Sequence, residues 1–252
     1  MDQDINPIYG DYYGNTAALA SVLSDLVPVE KNRKGELILE LKCPACGGED
    51  AWVSVAFYKM PLIRHRGSCP LAGTPFPLVD YIAERDGQGY GGALKVLSES
   101  VGREYEPIHK DDERAYLRDR SVRDLLVRLD NVFRAKLFCP EGAAALAKLQ
   151  HLKGYIEEEI MQREIGYFPG YGKMYQELEG QGYAPWVIER VSKWVHPQPW
   201  NDYCLTRLQR DDLGMPLVLW GCSLDAEVNC LPFGENRDLL PMTGNEFFMY
   251  NR

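Results

Sequence analysis

Four residues constrain this chain more than any others: Cys43 and Cys46, with two residues between them, then His65 after eighteen intervening residues and Cys69 after three more. The pattern C-x2-C-x18-H-x3-C offers four soft or borderline donors in two pairs, as a tetrahedral zinc ion requires. Gly47 and Gly48 follow the first pair, and small residues let backbone amides fold back toward the sulfurs. With four protein ligands no position is left for an activated water, so the expected ion is structural zinc that organises a fold. Read otherwise, Cys43 and Cys46 are a buried pair. His65, flanked by Arg64 and Arg66, then belongs to a cationic edge.

The other cysteines, Cys139, Cys204, Cys222 and Cys230, stand singly in apolar surroundings and read as small buried hydrophobes. Seven cysteines are an odd number, and the polar, acidic start MDQDINPIYG is unlike a secretory signal. No run of about 18 apolar residues is present to span a bilayer. A cytoplasmic, reducing location without a membrane is the expectation. At 252 residues and 45% apolar content the chain can bury a real core.

A net charge of −9 argues against a protein that coats nucleic acid indiscriminately, since displacing counterions from phosphate needs a positive field. The charge is uneven, however. Between Glu30 and Pro70 seven basic residues (Lys31, Arg33, Lys34, Lys42, Lys59, Arg64, Arg66) face five acidic ones, so the segment holding the metal pattern is net positive.

Hydrophobic periodicity divides the chain. Asn15 to Val27 has helical spacing with Asn15 or Thr16 as cap. KNRKGE reads as a turn, and Glu36–Leu41, Ala51–Tyr58 and Leu62–Arg66 read as strands of a small antiparallel sheet. PFPLVDYIAERDG and GYGGALKVLSESVG read as two helices with glycine stops. From Arg103 to Asp124 charge is dense and apolar residues are scarce until Leu117, the pattern of a linker running into a solvated helix. The amphipathic stretches LLVRLDNVFRAKLFC, PEGAAALAKLQHL, IEEEIMQREIGYF, KMYQELEGQGY and APWVIERVSKWV follow. YCLTRLQR, the turn DDLG and MPLVLWGCSL then predict a β-hairpin. The class is α+β: a zinc-ribbon antiparallel sheet with flanking helices over residues 1–102, a charged linker over 103–124, and a mainly helical domain ending in a β-hairpin over 125–252.

In this order the features resemble bacterial DnaG-type primases. Ala17 to Gly102 is similar to their zinc-binding domain: a short helix, the basic turn KNRKGE, a knuckle beginning Cys-Pro, a strand pair, a second ligand pair, Gly73 four residues after Cys69, and two helices ending in LSESVG. Asp130 to about Leu224 resembles the start of their RNA-polymerase domain through PEGAAALAKLQHLKGYIEEEIMQREIGYFPG, KMYQELEGQGY and the hairpin ending LVLWGCSL. Two departures stand out. The family usually carries its histidine in the first ligand pair, whereas here the first pair is Cys/Cys and Arg66, beside His65, occupies the expected third-ligand position. Of the basic residues that line the family's template path near the hairpin, Arg207 and Arg210 remain, while Asn201, Asp202, Tyr203, Cys204 and Cys222 stand at the other positions.

The resemblance implies recognition of a single-stranded DNA template during primer synthesis in replication. The implied DNA-contacting set is Lys42, Trp52, Lys59, Arg64, Arg66, Arg207 and Arg210, with Phe57 and Tyr58 as further stacking candidates. Polymerisation needs clustered carboxylates holding two Mg²⁺ ions, and the chain stops where the family's TOPRIM catalytic core would start; no catalytic residues are assigned. It is expected to be either a fragment of a longer primase or a naturally truncated relative. Tyr167, Tyr171, Tyr175, Tyr183, Trp186 and Trp194 suggest a second role, an adaptor docking a replicative helicase, a polymerase subunit or a separate TOPRIM subunit. GQGYGG connects two helices and reads as a loop, not a nucleotide-binding motif.

Overall fold

Alternating apolar residues in ELILELKC and AWVS force two neighbouring strands to turn one face inward, and the computed structural model builds a sheet on that alternation. It describes residues 7–26, 29–33, 36–56, 59–66, 69, 74–186, 188, 204–223, 230–233 and 247. The chain forms two compact units, residues 1–117 and 118–252.

The first unit opens with α1 (Pro7–Gly10) and α2 (Thr16–Val22), the latter capped by the Asn15 side chain, which accepts from the Ala18 amide at 3.1 Å. Five antiparallel strands follow in spatial order: β1 (Val29–Arg33), β2 (Glu36–Leu41), β3 (Ala51–Ser54), β4 (Leu62–His65) and β5 (Phe76–Pro77). The registers Leu39↔Val53 and Leu41↔Ala51 align the apolar positions of β2 and β3. Leu39, Leu41, Ala51, Val53 and Ile63 all pack into one core with Leu19 and Val22 of α2. α3 (Leu78–Arg85) and α4 (Tyr90–Ser100) close that core with Leu78, Ile82, Leu94 and Leu97.

The KNRKGE segment differs from its reading as a turn, because Val29–Arg33 pairs with β2 as the edge strand β1. The charged residues Glu30, Lys31 and Arg33 hide the strand from an apolar-alternation test.

Lys110–Leu137 is a single helix, α5, that begins inside the charged stretch 103–124. Its early turns belong to the first unit, where Tyr116 donates to the buried Asp80 carboxylate at 2.9 Å. Its later turns place Leu125, Leu129, Phe133 and Leu137 at four-residue spacing in the interior of the second unit. There follow α6 (Ala143–Lys153), α7 (Glu157–Gln162), β6 (Gly166–Tyr167), α8 (Tyr171–Gly180), β7 (Leu205–Arg210), β8 (Pro216–Cys222) and β9 (Leu231–Phe233).

The expected hairpin is present as β7 and β8, with Asp211 Oδ1 accepting from the amides of Leu213 and Met215 in the turn. It lies at the centre of a four-stranded antiparallel sheet ordered β6-β7-β8-β9. The two outer strands escaped the reading because they are two and three residues long, too short for any period to register. The helix expected in APWVIERVSKWV lies mostly outside the described residues. No described helix is long and apolar enough to cross a membrane.

Candidate metal centre and the face beside it

The end of β2 delivers Cys43 to a tight turn. Its amide donates to the Gly48 carbonyl at 2.7 Å, and the Gly47 amide donates back to the Cys43 carbonyl at 2.8 Å. Gly47 has φ +71°, a conformation open to glycine without steric cost, and the reversal brings Cys46 back toward Cys43. Pairing of β3 with β4 sets His65 opposite Ala51 at this end of the sheet. Cys69 follows four residues later.

The ligand atoms of Cys43, Cys46, His65 and Cys69 all lie within 4.8 Å of one another. Cys43 Sγ stands 3.5 Å from Cys69 Sγ, and Cys46 Sγ stands 3.5 Å from His65 Nε2. Zinc bonds of about 2.0–2.3 Å in a tetrahedron require ligand separations of roughly 3.5–3.8 Å, so both contacts fit one central ion. Two further features fit it. The Gly48 amide donates to the Cys46 sulfur and, with help from Cys69, holds this thiol below its ordinary value, which favours the thiolate that ligates metal. A Cβ on residue 48 would stand 3.4 Å from both Cys46 Sγ and His65 Nε2, so glycine leaves the centre uncrowded.

Three cysteines and a histidine thus form a structural zinc site whose donors would tie the β2–β3 turn to the end of β4. Of the neighbours His65 and Arg66, it is His65 that stands with the three cysteines, its Nε2 3.5 Å from Cys46 Sγ. Arg66 instead carries its guanidinium over the Trp52 ring at 4.9 Å.

The outward side of this sheet end collects most of the expected DNA-contacting set. Trp52 pairs with Arg64 in register, Arg64 Nε donates to Ser54 Oγ at 2.7 Å, Lys42 and Arg66 are exposed, and Trp52 and Arg64 are half-buried. Lys59 lies in the loop between β3 and β4, at the opposite end of these strands from the metal group. Phe57 and Tyr58 lie outside the described residues.

Arg207 requires a correction. It is only 3% exposed, and its Nη1 donates to the Phe247 carbonyl at 2.6 Å, so its charge is directed into the protein. Arg210 is half-buried and donates to the Gly214 carbonyl at 3.4 Å across the hairpin turn. Burial lowers both from the ordinary arginine value. β7 is an inner strand whose first four residues are all buried, and a basic residue alternating along a strand signals exposure only when one face is wet.

Tyr171, Tyr175 and Tyr183 pack against the core of the second unit and Tyr167 against a neighbouring cluster. Trp186 is exposed, while Trp194 lies outside the described residues. Reading the sequence missed Asp130, wholly buried in α5, with Arg134 Nε 3.1 Å from its carboxylate. Its position on the apolar stripe, between Leu126 and Phe133, was the available signal.

No family model matches the chain, and no curated protein matches it. Among solved structures the chain is similar to the Aquifex aeolicus primase (zinc-binding and RNA polymerase domains), at 12% identity and a TM-score of 0.43. The match covers 93% of this chain and 55% of that one, so the chain spans about half the length of the structure it matches.

Proposed function

We propose that this chain is a primase-like module whose zinc-bearing sheet engages single-stranded DNA template. The observation that carries the reading is the outward face beside the metal group, where Arg66 lies over Trp52 and Arg64 is its cross-strand neighbour. Cations next to an aromatic ring on a sheet suit a strand that offers both phosphates and unstacked bases. Lys42 extends the cationic edge toward Cys43, and Lys59 extends it at the far end of the strands. Primer synthesis itself is assigned to a TOPRIM catalytic core outside the residues described, supplied in the same chain or by another subunit. The sequence resemblance to the DnaG-type family supports this division of labour.

Fluorescence anisotropy with a labelled oligonucleotide, repeated across a salt series, tests the reading. Affinity should fall with salt, and the double variant Arg64→Ala/Arg66→Ala should flatten the log–log slope by about 1.4, since each phosphate contact on a single strand contributes about 0.7. Trp52→Ala should weaken binding by roughly 5- to 160-fold, given about 1–3 kcal/mol per stacked base. Affinity indifferent to both salt and these substitutions would exclude it.

A second reading, an adaptor for a helicase or a TOPRIM subunit, is favoured by Leu152, Ile156 and Met161, each more than half exposed around α6 and α7. Co-purification with candidate replication proteins, lost in Ile156→Asp, is the expected outcome under it.

A further inference from the structure

The second unit contains a pair of cysteines that separate reading could not join. β8 and β9 are antiparallel with Leu219↔Phe233, Trp220↔Pro232 and Gly221↔Leu231 as partners. Carried one residue further, the same register sets Cys222 directly opposite Cys230. Opposed residues in an antiparallel pair have Cα atoms about 4.5–5.5 Å apart, inside the range of about 4.4–6.8 Å that a disulfide spans. Both side chains are 2% exposed and belong to one apolar cluster with Leu205 and Trp220. We propose that Cys222 and Cys230 are a redox-active dithiol, closed to a cross-strand disulfide by a hydroperoxide.

Three features support the chemistry. The Cys230 thiol hydrogen-bonds to the Cys222 sulfur and lowers the Cys222 thiol from its ordinary value; burial opposes this and the Lys153 ammonium assists it. Cys222 is therefore the nucleophile and Cys230 the resolving thiol. β9 is a three-residue strand at the edge of its sheet, so exposing the pair needs only local opening. A small neutral oxidant suits a buried pair better than a bulky disulfide.

The steps balance. The Cys222 thiolate attacks one peroxide oxygen and breaks the O–O bond; the departing hydroxide takes up the proton lost by the thiol and leaves as water. The Cys230 sulfur then attacks the resulting Cys222 sulfenic acid, forming the S–S bond and expelling its oxygen as a second water with the Cys230 proton. Two thiols are oxidised by two electrons, and one hydrogen peroxide becomes two waters. A thiol reductant reverses the bond.

The test applies hydrogen peroxide to the full chain loaded with zinc, which occupies Cys43, Cys46 and Cys69. In a non-reducing map the fragment that holds Cys222 and Cys230 is expected to be linked through them, lighter by two hydrogens than its reduced form, and to revert with dithiothreitol. Cys222→Ala and Cys230→Ala should each lose that link, while the exposed Cys139 reports the oxidation reached by an accessible thiol. The wild-type map decides the matter even if either variant folds poorly. The proposal is overturned if both thiols remain alkylatable once Cys139 is oxidised, if Cys222 proceeds to sulfinic acid beside a free Cys230, or if either links to Cys204.

Discussion

At residue 48 a single methyl group would stand 3.4 Å from two zinc donors at once. Gly48→Ala is therefore expected to weaken zinc binding by about tenfold, at the lower end of what disturbing a ligand's supporting shell costs, as read by competition with a chromophoric chelator. Asp130 carries a different expectation. Burial pushes its carboxyl up to about 6; Arg134 and Arg210 oppose the rise and Glu164 adds to it. The folded chain thus binds more protons than the unfolded one between about pH 4 and pH 6, so this group's contribution to stability falls as pH rises through that window, by on the order of 3 kcal/mol. Asp130→Asn should remove the slope and raise the melting temperature at pH 7, because Arg134 keeps Glu164 at 3.2 Å as a partner. Melts at pH 4.5 and pH 7 would check both points. At this scale the cysteine and histidine ligands were legible because metal coordination imposes spacing on sequence. Arg207, Asp130 and the Cys222–Cys230 pair were not, since burial and cross-strand register are properties of the assembled sheet.

Two close approaches to the backbone of α5 explain short motifs that the sequence offers without a reason. In the PEG at 140–142, a Cβ on Gly142 would come within 2.5 Å of the Lys136 carbonyl and 2.6 Å of the Leu137 carbonyl at the end of α5. In the IGY at 165–167, a Cβ on Gly166 would meet Thr206 Oγ1 at 2.7 Å and the backbone of Phe133 and Arg134 within 2.9 Å. Backbone cannot yield as a flexible side chain can, so Gly142→Ala and Gly166→Ala should each destabilise the second unit by about 1–3 kcal/mol or more, measured by urea denaturation. Helices α2 to α8 and the long strands were legible from their periods, whereas the four-residue α1 was not, and Glu36–Leu41 was read with both ends as found. β1, β6 and β9 were hidden by charge or by brevity, and α5 starts earlier than its apolar stripe because the turns before Leu117 are nearly all polar.

Each unit of the whole chain has its own apolar core, and the zinc donors all belong to the first. Chelation is therefore expected to lower or abolish the melting transition of residues 1–117 and leave that of residues 118–252 in place, with calorimetry resolving the two. Apparent zinc binding of about 10 kcal/mol or more at neutral pH is large against the stability of a unit this size. Cys43→Ser should reproduce the effect without chelator. Under the proposed function, a chain of net charge −9 offers its basic segment to a polyanion, and raised salt should weaken oligonucleotide binding well before it affects folding.

The four donors are not equally sheltered: Cys43 is buried, His65 and Cys69 are intermediate, and Cys46 faces water. An incoming competitor for the ion can begin at that single open sulfur and advance one bond at a time, without waiting for the sheet to come apart. Metal turnover should then accelerate with competitor concentration, a kinetic signature of assisted transfer, even where equilibrium retention is strong.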